Sequence, residues 1–165
     1  MIKIGIIGAG KMCQNGHLPA FDKLDECKIV AICDISNAKL EQMKVRYPEA
    51  HLYSDFKEMI DKEELDAVDI CTPNNVHSIA AVYALEKGLH VLCEKPMTLN
   101  AKDAKKVLAV AKETDKKFMV AHVVRFMAPY MYLRSVIESG ELGKLIRLDM
   151  KRISGIPTWS WEDWM

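Results

Sequence analysis

An apolar run at the start of the chain, Ile2–Ile7, passes directly into Gly8-Ala9-Gly10-Lys11-Met12-Cys13. No other stretch narrows the possible folds so much. G-x-G-x-x-G/A, placed after a strand and opening a helix, is the pattern of a dinucleotide-binding β-α-β unit. Gly8 is expected to make the tight turn and Gly10 to let the backbone approach a diphosphate. Cys13 is small enough for the third position, where helix and sheet pack closely. Lys11 and Met12 open the helix, whose unpaired N–H groups would hold the anion. Asp34 follows 21 residues after Cys13, at the end of a second apolar run. A carboxylate there accepts hydrogen bonds from ribose hydroxyls. The bland alternative is two turn glycines and a surface aspartate. Pro19 sits where this first helix should be running and is expected to kink it. A late start near His17 would make Pro19 harmless but weaken the phosphate-binding geometry.

The rest of the chain repeats the alternation. Strand-length apolar runs lie at residues 28–33, 51–53, 67–71, 89–93 and 118–121. Segments of helical period lie at 38–47, 76–87, 101–114 and 130–139. Ser36 or Asn37 is expected to cap the first of these, and Asn100 with Asp103 suggests a capping box for the third. Ala104, Val107, Leu108 and Ala111 would form that helix's apolar stripe. Such alternation predicts an α/β fold with a doubly wound parallel sheet of order 3-2-1-4-5-6. Residues 1–121 are expected to form this domain. Residues 122–165 would hold a connecting helix and, at 145–153, the first strand of an incomplete second α+β domain.

Composition excludes several classes. Lys plus Arg equals Asp plus Glu at 23 each, which argues against a nucleic-acid binder. No apolar run approaches a membrane span. Five cysteines without a CxxC pair read as buried hydrophobes in a reducing cytoplasm, and no metal site is expected. His17, His51 and His90 read as ordinary structural histidines, and His77 taken alone as a surface or capping one.

Two further loops follow strands: Cys71-Thr72-Pro73-Asn74-Asn75-Val76-His77 and Cys93-Glu94-Lys95-Pro96. In open parallel sheets, ligands bind beyond the carboxyl ends of the strands, where both loops would project. Lys95 is thereby placed where a nicotinamide ring and a substrate would meet. A lysine there can bind a substrate oxygen or, partly desolvated, exchange its proton. Taken alone it could equally be an exposed lysine after a strand.

Together with His122-Val-Val-Arg125-Phe126 and Ser-Gly-Glu-Leu-Gly-Lys at 139–144, these motifs resemble the Gfo/Idh/MocA oxidoreductases across essentially the whole chain. That family is named for glucose–fructose oxidoreductase and inositol dehydrogenase. The resemblance implies hydride transfer between NAD, or NADP, and a sugar, polyol or related hydroxy compound. It implies that Lys95 lies near the substrate hydroxyl, that Thr72, Asn74 and His77 line the nicotinamide side, and that Glu94 contacts the cofactor end of the site. His122 and Arg125 would face the cofactor and substrate cleft. Asp34, with no arginine in Ile35-Ser36-Asn37, points to NAD, while Lys39 could accommodate NADP.

The family normally carries a larger second domain, so the chain is expected to be truncated and by itself inactive. An unpaired strand at 145–153 and the apolar Trp159, Trp161 and Trp164 suggest a homo-oligomer. An NAD-dependent glycoside hydrolase of the same family and a non-enzymatic nucleotide-binding module are the competing readings.

Overall fold

The computed structural model describes residues 1–153. Residues 1–121 form one compact unit, and a second unit begins at His122. The first unit is a six-stranded parallel sheet: β1 (Ile2–Ile7), β2 (Cys27–Cys33), β3 (His51–Tyr53), β4 (Ala67–Ile70), β5 (His90–Cys93) and β6 (Phe118–Val120). The strand order is β3-β2-β1-β4-β5-β6, the doubly wound order expected. The crossovers carry α1 (Leu18–Phe21), α2 (Asn37–Arg46), α3 (Phe56–Lys62), α4 (Asn74–Glu86) and α5 (Ala101–Glu113).

Alternating strand residues feed two apolar clusters. Ile6 and Ile32 pack with Cys13, Leu18 and Met43. Ile7, Ala31, Cys33, Val68, Ile70 and Cys93 pack with Met59, Leu85 and Val107 from α3, α4 and α5. Because side chains alternate along a strand, Asp69 and Glu94, each next in sequence to a member of the second cluster, turn to the side of the first.

The start of the first helix differs from both expectations for Pro19. Helical geometry begins at residue 11, directly after the glycine loop. The Gln14 N–H donates to the Gly10 carbonyl (2.9 Å). The helix then widens into a π turn, Cys13–His17, closed by the Leu18 N–H on the Cys13 carbonyl. Pro19 is the second residue of α1, directly after the π turn, whose altered register accommodates a residue with no N–H to donate. The helix therefore keeps its early start and tolerates the proline.

Other boundaries shift for local reasons. Helix α4 starts at Asn74, two residues before the apolar pattern, because Pro73 stands at its N-cap. The α3 helix escapes the periodicity reading because it is short. Its cap is explicit, with Asp55 Oδ1 accepting the Lys57 N–H (2.8 Å). On α5 Asn100 Oδ1 accepts the Asp103 N–H as expected, while Asp103 Oδ2 accepts from the Asn100 side-chain amide; Leu108 is exposed and Val110 takes part in the packing instead.

In the second unit a 3-10 turn, Val123–Phe126, precedes α6 (Ala128–Ser139), which ends at Gly140 in the left-handed conformation. The strand expected at 145–153 is not formed. That segment has no regular structure, and Ile146 and Ile153 are almost fully exposed. A single strand gains nothing without a neighbour to take its backbone hydrogen bonds. The unpaired sheet edge expected there is therefore absent. The three tryptophans lie outside the described residues.

Candidate cofactor and catalytic site

The carboxyl ends of β1, β2, β4 and β5 bring the predicted loops to one end of the sheet. At β1, Gly8 has φ +95°. A Cβ on it would lie 2.8 Å from the Cys71 carbonyl carbon and oxygen and from the Thr72 nitrogen. Only glycine allows this turn to pass so close to the β4 loop. Its N–H donates to the Cys33 carbonyl (2.8 Å), which ties it to β2 as well. Gly10 is the opposite case: a Cβ there would meet nothing within 4 Å. The space above Gly10 is open.

Asp34 is buried at the end of β2. Its Oδ2 accepts the Ala9 N–H (2.8 Å) and lies 3.5 Å from the Lys39 ammonium; its Oδ1 accepts the Ser36 N–H (2.8 Å). The carboxylate is thus fixed against the glycine loop before any ligand arrives. Lys11 is exposed and Met12 half-buried at the helix start.

The β4 and β5 loops are tied to each other by His77. This ring is fully buried, contrary to the surface position that its sequence context alone suggested. Nδ1 lies 2.8 Å from the Pro96 carbonyl and Nε2 lies 2.9 Å from the Thr72 carbonyl. His77 is a strut between loops, placed inward because Asn74 already starts the helix three residues earlier. Thr72 Oγ1 is buried without a hydrogen-bond partner. An orphaned hydroxyl beside a glycine cradle and a fixed carboxylate fits a nucleotide cofactor that supplies the missing partner. Asn74 is half-buried in the first turn of α4.

Beneath these loops lies a cluster that the sequence reading missed. His17 Nδ1 is 2.9 Å from Asp69 Oδ2, and its Nε2 is 3.1 Å from Glu94 Oε1. Glu94 Oε2 accepts the backbone N–H of Lys95 (2.8 Å). Burial by itself would lower the His17 pKa, but the hydrogen bonds and charges of Asp69 and Glu94 outweigh it and push it up to about 10. Burial likewise opposes ionisation of Glu94, yet His17 and the Lys95 N–H hold its pKa below the ordinary carboxylate value. Cys71 Sγ donates to Asp69 Oδ2 (3.6 Å). Its thiol is pushed far up by hydrogen bonding with Cys13, by burial and by the Asp69 charge. Ligand atoms of His17, Asp69 and Cys71 lie within 4.8 Å of one another. With both ring nitrogens matched to carboxylates and the thiol protonated, the group is a hydrogen-bonded cluster.

The Lys95 side chain is exposed at the carboxyl end of β5. His122 and Arg125 belong to the second unit, where both are exposed and the Arg125 N–H donates to the His122 carbonyl (3.0 Å). One clue to the missed cluster was available in the sequence. Asp69 interrupts an otherwise apolar run, and a carboxylate inside a buried strand demands a partner.

Comparison with known proteins bears on this geometry. A family model described as an oxidoreductase family with an NAD-binding Rossmann fold matches residues 2–122. D-glucoside 3-dehydrogenase of Escherichia coli is 28% identical over 160 residues, covering 96% of this chain and 46% of that protein. Myo-inositol 2-dehydrogenase of Thermotoga maritima is 29% identical, covering 87% of this chain and 42% of that protein. Among solved structures, scyllo-inositol dehydrogenase from Lactobacillus casei with bound NAD(H) and scyllo-inositol aligns with a TM-score of 0.80 at 28% identity, covering 87% of this chain and 42% of that one. The chain spans less than half the length of these relatives.

Proposed function

The chain belongs to the Gfo/Idh/MocA oxidoreductase family, and on that premise we propose that it forms the NAD-holding part of an enzyme that oxidises or reduces a sugar or polyol at a CH–OH group. The observation that carries this reading is the exposed Lys95 at the end of β5, two strands from the glycine cradle at the end of β1. The adenosine and diphosphate end falls to Gly8, Gly10, the helix start at Lys11 and Met12, and Asp34. The nicotinamide end falls to Thr72, Asn74, Glu94 and the loops that His77 joins. When bound, NAD supplies a hydride acceptor.

The chain's own residues then position and exchange protons. Lys95 binds the substrate oxygen and moves its proton. Glu94 fixes the lysine's backbone and adds negative charge beside it. His122 and Arg125 act on the substrate side. Five cysteines, all without disulfides, support a reducing compartment and hence the cytoplasm. Among the described residues no helix is long and apolar enough to cross a membrane. The exposed Met131, Tyr132 and Ile137 of α6 support assembly into a homo-oligomer.

The test is Lys95→Ala in the whole enzyme, substrate-binding part included, assayed with NAD against a panel of inositols and glucosides. We expect kcat to fall about 10²–10⁴-fold, the usual size of a general acid–base contribution, with NAD affinity nearly unchanged. A variant that keeps most of its activity would remove Lys95 from the mechanism.

A further inference from the structure

We propose that His17 is a positioning residue for Lys95: held between Asp69 and Glu94, it locks the Glu94 carboxylate that fixes the Lys95 backbone. The geometry is a continuous relay. Asp69 Oδ1 and Oδ2 lie 3.1 and 2.9 Å from Nδ1, Nε2 lies 3.1 Å from Glu94 Oε1, and Glu94 Oε2 takes the Lys95 N–H at 2.8 Å. The Glu94 backbone N–H is itself anchored on the Ile70 carbonyl of β4 (2.9 Å). The three side chains are nearly closed to solvent, at 10%, 1% and 9% exposure for His17, Asp69 and Glu94.

Both ring nitrogens face carboxylate oxygens; with both carboxylates ionised, both nitrogens donate, and only the imidazolium does that. A neutral ring would set a lone pair against one carboxylate. Cys71 against Asp69, Cys13 behind Cys71, and Lys95 beside Glu94 are the other titratable groups facing the cluster. The π turn is a second, independent observation. It takes up one extra residue, which rotates His17 about 100° from the place a regular helix would give it. Turns of this kind recur at functional sites. Here it links the helix of the diphosphate loop to the loop that carries Lys95.

The proposal rests on the reading of Lys95 as the residue that meets the substrate oxygen, and the experiment separates the two. In the 165-residue chain, ¹⁵N-detected NMR of the histidine rings at about pH 8.5 is expected to show both His17 nitrogens protonated. The Lys95 backbone amide is expected to shift with the same midpoint as the His17 ring on further titration. Glu94→Gln leaves one side-chain oxygen for two donors, so the two titrations should uncouple. A neutral His17 at that pH, or a Lys95 amide indifferent to His17→Gln in a folded chain, overturns the relay whatever the reaction. Where a polyol is oxidised, His17→Gln should lower kcat about 10- to 100-fold with the KM for NAD within about twofold, the cost of a displaced catalytic group. In a Lys95→Ala background the same change should add less than about twofold. An equal loss in both backgrounds would show that His17 does not act through Lys95. Absence of polyol turnover in the whole enzyme, substrate-binding part included, would refute the function and leave the NMR result to decide the relay.

Discussion

The two ends of the sheet's functional edge are built on different principles. At β1 and β2 the site is made of backbone: a left-handed glycine, an open glycine, a helix start and one carboxylate that takes a backbone N–H. At β4 and β5 it is made of buried side chains: His17, Asp69, Glu94 and His77, each held by partners from another segment. A diphosphate is bound well by rigid N–H groups, because its charge is diffuse and never changes. Chemistry on a hydroxyl needs charges that are placed and tuned, and only ionisable side chains supply those. The first end should therefore be sensitive to shape, and the second to charge and pH.

Two glycines test the shape end and should give the largest effect. Gly8→Ala forces an L residue to φ +95° and drives a Cβ to 2.8 Å from the Cys71 and Thr72 backbone. We expect a loss of about 3 kcal/mol or more in urea unfolding. Gly10→Ala meets nothing within 4 Å, so stability should change by less than about 1 kcal/mol. Its methyl group would occupy the cofactor's room, so NAD affinity by calorimetry should still fall about tenfold or more. If both variants lose stability alike, the distinction between strained and open glycine is wrong.

The same contrast explains what could be read in the sequence. Gly8, Gly10 and Asp34 stand at the fixed spacings of the dinucleotide pattern, which assigns residue type position by position. The strand order followed from the alternation together with the glycine motif, Lys95 from its place after the fifth strand, and the resemblance added roles for Thr72, Asn74, His77 and Glu94. His17 escaped because its partners lie 52 and 77 residues away and nothing local marks it. Its neighbour Pro19 looked like a defect until the π turn showed how the helix absorbs it. The α3 helix was lost to its length, and the strand at 145–153 was over-read, since alternation without a pairing partner does not make a sheet.

The charge end should reveal itself in the pH dependence of stability. His17 binds its proton more tightly in the folded chain, with a pKa of about 10 against an ordinary 6.5. Its contribution is complete below about 6.5 and is lost as the pH rises through about 10. At 1.36 kcal/mol per unit, and allowing for screening, about 2 kcal/mol should disappear over that window. The measurement is the urea midpoint across the alkaline range in the chain and in His17→Gln. A flat profile in the unmodified chain would mean that the cluster is neutral and that the two ends do not differ in kind.

The smallest expected effect is at the junction of the two principles, at Asp34, the buried carboxylate of the backbone-built end. Its Oδ2 is committed to the Ala9 N–H and its Oδ1 to the Ser36 N–H, so the carboxylate stays in place when a nucleotide arrives. A 2′-phosphate would meet this fixed negative charge, whereas a free ribose hydroxyl would donate to it. Lys39, 3.5 Å from Oδ2, offsets part of the repulsion. We therefore expect a preference for NAD over NADP of about tenfold, or about 1.4 kcal/mol. Asp34→Asn retains one acceptor oxygen and removes the charge, so the preference should shrink or reverse as Lys39 becomes the dominant charge. Calorimetric titration of both cofactors against both proteins decides this. NADP bound as tightly as NAD by the unmodified chain would mean that Lys39, rather than Asp34, sets the electrostatics of this end.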